Sequence, residues 1–409
     1  MRIGEIRTIR IPSRPNLLLL EVATGDGATG IGETFFAPGA SERYLHDDLA
    51  PALLGTDLDG AAAVLAGLDR GTGGSSTSIE MRARSAMNVA LWDLRGKYAG
   101  LPLHRLLAEG SPSSISVYNT CAGRDYVQQT TQVASSNWGL ESADEARYPD
   151  LYGFMNAADR LAVSLLNEKY SGMKIWPFDP PAEETQGQYI SRTELARALT
   201  PVQKVRSAVG DRIELMIELH GMWSPMMASR IIDALAGYNI RWIEDPVKVS
   251  DFGALAKVRQ RSPIPIAAGE TMAGVDRFRD LIDAEAVDTV IVDPVWCGGV
   301  DVAVAVGEMA DAAGLEIAFH DCTGPVALAV ATHLALARRN ARVQEMVRAF
   351  YFDWYAELTI GAPALADGRL VASDRAGVGV EIRPEVLRRP DTLIVGSSAS
   401  GVTSAAARR

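Results

Sequence analysis

Three glutamates close three short apolar runs: Glu218 ends IELMIE, Glu244 ends RWIE and Glu270 ends PIPIAAGE. Each lies 26 residues from the next, the length of one strand–helix unit. In a parallel (β/α) barrel, consecutive strand ends are neighbours on one rim, and that rim carries the chemistry. Carboxylates converging there repel one another unless a cation compensates them. Hard oxygen ligands suit Mg²⁺, which keeps further positions for water or substrate oxygens. Any one of the three could be a solvated residue at a strand end. Three at matching places in consecutive units point to a metal, one divalent cation per subunit.

The elements that must hold these groups follow from hydropathy. From Ser114 the rhythm is short strand, then helix. SISVYNT (114–120), GMKIW (172–176), the three glutamate runs, VDTVIVD (287–293), LEIAFH (315–320) and ARVQEM (341–346) supply eight strands. Strand alternating with helix implies parallel pairing, and eight units over about 240 residues suit a closed barrel better than an open sheet. The polar stretch within 124–156 is an insertion that could serve the pocket or a subunit contact. A helix is expected from Ala157 to Lys169. Before the barrel, residues 1–36 read as an antiparallel strand pair with a Gly-Asp-Gly turn at 25–27. Residues 41–69 and 79–107 have helical spacing, the latter with Ala86, Val89, Ala90 and Leu94 on one face and a stop at Gly100-Leu101-Pro102. GTGGSSTS (71–78) reads as a flexible loop, either a linker or a lid.

Composition narrows the partners. A chain of 409 residues with 47% hydrophobic content can build a large core, and a net charge of −11 argues against nucleic acid or an anionic membrane surface. Cys121, Cys297 and Cys322 show neither a pair count nor zinc-ligand spacing, so reduced cytosolic thiols are expected. The N-terminal MRIGEIRTIRIPSR lacks an apolar signal core, and no run approaches the ~18 residues of a membrane span. A soluble cytoplasmic protein is expected, with no membrane partner.

The residues also resemble a known family. The glutamates in WIEDP and AAGET, the VDPVWCGG and FHDCTGPV strands and the ALWDLRGK helix are together similar to the enolase superfamily, in its mandelate racemase subgroup, from residue 1 to about 390. The resemblance implies an α/β fold: a modified (β/α)₇β TIM-type barrel at 113–362 under an α+β capping domain at 1–112. Residues 363–394 would return to the cap, and 395–409 would form a disordered tail. It implies abstraction of the proton α to a carboxylate, giving an enediolate stabilised by Mg²⁺, and metal ligands at Glu218, Glu244 and Glu270. The first ligand is more often aspartate in relatives. The sixth- and seventh-strand dyad falls on Asp293 and His320, where an aspartate on one imidazole nitrogen fixes the tautomer and raises the basicity of the other. Glu345 matches the place where relatives carry an acid that hydrogen-bonds the enediolate.

Two departures from the family pattern bear on the reaction. Racemases and several dehydratases among the relatives carry Lys-x-Lys on the second strand, with the second lysine as base on one face. Here the run is Lys174-Ile175-Trp176, and indole has no basic nitrogen. Lys174 could bind the substrate carboxylate, lower a partner's pKa, stand in as base, or simply neutralise the glutamates. Trp176 would line the substrate site. The second departure is His220, on the same face of its strand as Glu218 by period-two alternation. The same carboxylate-x-His pattern occurs in sugar-acid dehydratases related to galactonate dehydratase. There it could protonate a leaving hydroxyl, or act as an extra ligand. The expected function is a Mg²⁺-dependent dehydratase (a lyase) that eliminates the β-hydroxyl of a sugar acid to give a 2-keto-3-deoxy acid, in a homo-oligomeric protein. A racemase, epimerase or cycloisomerase using the same enediolate remains an alternative, and a non-catalytic binding barrel a remote one.

Overall fold

The computed structural model describes residues 1–67, 79–130, 134–140, 147–399 and 401–406. The loop at 71–78 lies outside them. Three N-terminal strands, β1 (Ile3–Arg10), β2 (Leu17–Thr24) and β3 (Thr29–Phe35), form an antiparallel meander rather than the expected pair. The turn at Gly25–Gly27 joins β2 to β3. Helix Ile79–Ala99 lies across β3. Gly30 and Gly32 permit that approach, because a Cβ at either would collide with the carbonyl of Ala90 or Ala86. Leu18, Leu20 and Val22 pack with Leu45, Leu49, Ala86 and Leu94 as the core of this cap.

The barrel strands follow as β4 (Ser114–Thr120), β5 (Gly172–Ile175), β6 (Glu214–Glu218), β7 (Ile240–Glu244), β8 (Ile266–Ala268), β9 (Thr289–Val292), β10 (Glu316–Phe319) and β11 (Val343–Met346). From β4 to β10 each pairs in parallel with its successor. β11 pairs in parallel with β4, and the Ile317 N–H reaches the Asn340 carbonyl at 3.2 Å to close the ring. The architecture is an α+β cap on a modified (β/α)₇β barrel.

Inside the barrel, side-chain alternation stacks two layers of opposite character. The lower layer is apolar: Tyr118, Met216, Trp242, Ala267, Ile291, Ala318 and Val343. Gly172 fits among them because Tyr118 Cβ and Met216 Cε already fill its space. Two residues further along each strand come Thr120, Lys174, Glu218, Glu244, Asp293, His320 and Glu345. On β8 the step is three, from Ala267 to Glu270. Gly269, at φ 128°, makes the extra turn, and a Cβ there would lie 2.7 Å from the Ile291 carbonyl oxygen.

The C-terminal segment departs from expectation. After β12 (Thr359–Ile360), the hairpin β13 (Ala364–Ala366) and β14 (Arg369–Val371) adds to the barrel sheet at β4, not to the cap. β15 (Glu381–Ile382) pairs with β12. Only β16 (Leu393–Ser398) returns to the cap, antiparallel to β1, and β17 (Gly401–Ala406) pairs with it in turn. The expected disordered tail is thus corrected through residue 406, apart from residue 400, which with 407–409 lies outside the described residues. The small polar residues there offered no hydropathy signal. A strand edge, however, recruits backbone N–H and C=O groups whatever the side chains, and buried Ser397 adds a hydrogen bond with His46 Nδ1 at 2.7 Å.

Helix Pro325–Ala337 anchors the cap from below: buried Glu33 of β3 accepts from the Val326 and Ala327 N–H groups at 2.9 and 3.2 Å, satisfying two donors at that helix start. No helix among the described residues is long and apolar enough to cross a membrane.

Candidate active site

The upper layer of the barrel and the overhanging cap line a small cavity of about 50 Å³. Glu218, Glu244 and Glu270 each offer an oxygen there, all within 4.8 Å of one another. Glu218 is aimed by its own turn: His220, at φ 49°, and Leu219 present their N–H groups to Oε1 at 2.8 and 3.1 Å. Its Oε2 is buried and, among the described residues, accepts no hydrogen bond, with only the Lys174 ammonium near it at 3.4 Å. Trp242 Nε1 holds Glu244 Oε2 at 2.9 Å. Three convergent carboxylates, one with an orphaned buried oxygen, fit a hard divalent cation.

Lys174 stands inside this group, 2.7 Å from Glu244 Oε1, 2.9 Å from Glu345 Oε1 and 3.4 Å from Glu218 Oε2. Burial alone would lower its pKa, but Glu244 and Glu345 outweigh that and raise it well above the usual lysine value. Glu345 also accepts from Thr120 Oγ1 and from the Asp321 N–H at 3.0 Å. Burial would raise its pKa; Lys174, His320 and Thr120 outweigh this and hold it below the ordinary value. As an ionised group it can accept from a substrate hydroxyl, whereas the family role of hydrogen-bonding an enediolate needs the protonated acid.

His320 Nδ1 lies 2.8 Å from Asp293 Oδ2, while Asp293 Oδ1 accepts the Val295 N–H at 2.7 Å. Across the cavity wall, His220 Nδ1 lies 2.7 Å from Asp179 Oδ2. Burial would push both imidazoles down. Neighbouring carboxylates (Glu270 and Asp293 for His320, Asp179 and Glu218 for His220) raise each to about 10. Trp176 packs edge-on to His220, ring centroids 5.9 Å apart, and forms a wall with Tyr126 and Phe154.

The structure brings every residue singled out from the sequence to this rim, and adds several that sequence reasoning missed. Asp179 is one. Tyr126, from the insertion, and Cys322 also line the cavity. From the cap comes Arg82: it lies 4.2 Å over the Trp296 ring and donates to the Phe35 carbonyl at 2.9 Å. Trp296 in turn faces His320, centroids 5.2 Å apart. Phe36, at φ 68°, has its centroid 5.7 Å from that of Trp296. Phe35 and Phe36, which also line the cavity, were legible in the sequence: they directly follow the first hairpin, where the family resemblance places a specificity loop. Arg82 offered none, being one arginine among several on a helix.

A barrel with a carboxylate cluster and an Asp–His pair at its strand ends, capped by an α+β domain, defines a class of capped-barrel enzymes. Residues 157–386 match the family described as enolase C-terminal domain-like, and residues 9–108 the mandelate racemase / muconate lactonizing enzyme N-terminal domain. The chain belongs to this mandelate racemase subgroup of the enolase superfamily. It is similar to a D-galactonate dehydratase family member of Pseudarthrobacter chlorophenolicus, 27% identical over 384 residues covering 91% of each chain. A D-mannonate dehydratase of Rhizorhabdus wittichii is 28% identical, covering 93% of each. Among solved structures, an enolase from Sargasso Sea environmental sequence is 39% identical, with TM-score 0.85, covering 97% of this chain and 99% of that one. An enolase of the mandelate racemase subgroup from Agrobacterium tumefaciens is 37% identical, with TM-score 0.86, covering 98% and 100%. The protein is an enzyme, and its curated relatives are hydro-lyases.

Proposed function

We propose that this enzyme dehydrates a sugar acid with the help of Mg²⁺. The observation that carries the reading is that His320 and His220 line one cavity together with Glu218, Glu270 and Lys174. Mg²⁺ held by Glu218, Glu244 and Glu270 would neutralise charge that develops on the substrate carboxylate. Lys174, kept protonated by its glutamates, adds a cation for the same carboxylate. His320, oriented by Asp293, takes the α proton on Nε2 as the neutral imidazole, because the charge on Glu270 that raises its pKa would be committed to the cation. The electron pair left behind expels the β-hydroxyl as the C–O bond breaks, and His220 gives that oxygen a proton, so water leaves. The resulting enol becomes a 2-keto-3-deoxy acid on gaining a proton at C3.

Racemisation would need a second base across the α carbon, and Trp176, buried on the second barrel strand, offers none. Phe35, Phe36 and Trp296 line the cavity on the cap side and give the reacting centre an apolar wall. The reading places the enzyme in the cytoplasm, as a homo-oligomer acting on a small carboxylate. A library of diastereomeric sugar acids, screened for 2-keto product with Mg²⁺ present, tests it. Absence of keto product across the whole library would count against dehydration.

A further inference from the structure

His220 lies not on β6, as strand alternation suggested, but in the left-handed turn just after it, and what holds its ring comes from the loop after β5. That loop begins Trp176-Pro177-Phe178-Asp179, at the place where relatives that racemise carry their second lysine. Trp176 meets the imidazole edge-on, and Asp179 Oδ2 sits 2.7 Å from Nδ1. Asp179 is 1% exposed. Among the described residues its side chain has no other hydrogen bond, since Oδ1 is buried without a partner. Asp293, by contrast, divides its two oxygens between His320 and a backbone N–H. A buried carboxylate with a single imidazole partner is costly to keep unless the pairing itself has a use.

We propose that Asp179 is the positioning residue of His220, accepting from Nδ1–H so that the ring's other proton, on Nε2, is the one presented to the leaving hydroxyl. Where relatives that racemise carry a strand-end base on β5, this chain has a loop that orients an imidazole acid one strand over. Asp179 touches no reacting atom. It acts through the ring, as outer carboxylates act on histidines elsewhere. This rests on the reading of His220 as the acid of dehydration.

The test compares Asp179→Asn, His220→Asn and the double variant in the Mg²⁺-loaded enzyme. Keto-acid formation and α-proton exchange in D₂O are followed for each. Asp179→Asn should lower product formation by about 10–100-fold and leave exchange within a few-fold of wild type. The double variant should be no slower than His220→Asn alone, and Asp179→Glu, which keeps the charge, should recover part of the loss.

A readout independent of turnover comes from ¹H–¹⁵N spectra of ¹⁵N-histidine-labelled protein, with the His220 signals assigned by their loss in His220→Asn. Wild type should show Nδ1 protonated, and Asp179→Asn should shift that proton away. Losses that multiply in the double variant, or unchanged nitrogen shifts and wild-type product formation in Asp179→Asn, would overturn the proposal. Full dehydration by His220→Asn would instead overturn the choice of acid. The nitrogen shifts would then still decide whether Asp179 sets the ring.

Discussion

His320 presents its two nitrogens to two carboxylates: Nδ1 is 2.8 Å from Asp293 Oδ2, and Nε2 is 3.4 Å from Glu270 Oε2. One aspartate therefore orients the ring, while the other nitrogen faces the glutamate cluster. His320→Asn should abolish exchange of the α proton with solvent deuterium. Asp293→Asn should slow exchange by misorienting an imidazole that is still present. Proton NMR of substrate in D₂O reads both. Wild-type exchange in His320→Asn, with loss in Lys174→Ala, would move the base to the other face.

Glu270 is the most exposed of the three cluster glutamates, so it can be changed with little effect on the core. Glu270→Gln should remove Mg²⁺-dependent turnover while the thermal transition stays near that of wild type. Calorimetric titration with Mg²⁺ should show weakened binding. Turnover that survives exhaustive chelation would rule out dependence on a divalent cation.

His220→Asn should uncouple the two halves of the reaction. Exchange through His320 needs no imidazole after β6, so it should persist. Keto-acid formation should fall by ~10²–10⁴, the usual range for a general acid. Loss of exchange and of metal binding together would make His220 a ligand; full dehydration would give the acid role to another group.

Arg348 follows β11 and fixes the insertion to the barrel. Its Nε and Nη2 each lie 2.7 Å from an oxygen of Asp150, and both residues are buried. Asp150→Ala would leave a buried guanidinium short of its main partner, with Glu168 at 2.9 Å and Ser164 Oγ at 3.2 Å as the partners left among the described residues. A loss of about 3–5 kcal/mol is expected. Urea denaturation measures it, and a change under about 1 kcal/mol, the worth of a surface pair, would show that the pair is not what holds the insertion.

His333 and His104 meet at the cap–barrel boundary, Nδ1 to Nδ1 at 2.9 Å, with His333 Nε2 3.2 Å from the Val378 carbonyl. If Nε2 donates to that carbonyl, Nδ1 of His333 must accept, so the ring is neutral. Burial first, and the neighbouring His104 second, lower its pKa from 6.5 to about 3. Below pH 6.5 the unfolded chain therefore binds the extra proton and the folded one does not. Stability is lost as pH falls from about 6.5 towards 3, by roughly 2 kcal/mol at pH 5 from this group alone. Denaturation at several pH values, compared with His333→Gln, isolates the contribution. Parallel pH profiles for the two proteins would contradict it.

What the sequence determined by itself is the set of strand ends and the charges on them. Glu218 and Glu244 sit two residues beyond inward apolar side chains, and the same step carries Ile291 to Asp293 and Ala318 to His320. A pleated strand imposes that period locally, so no distant contact is needed to read it. Glu270 was legible from its interval, although its step of three depends on the backbone turn at Gly269. The tertiary structure decided what surrounds these ends. Asp179 meets His220 from 41 residues away, and Arg82 arrives from a helix of another domain. The 395–406 segment owes its strands to an open edge at β1, at the far end of the chain. Such pairings are set by three-dimensional closure, and neither composition nor periodicity carries a trace of it.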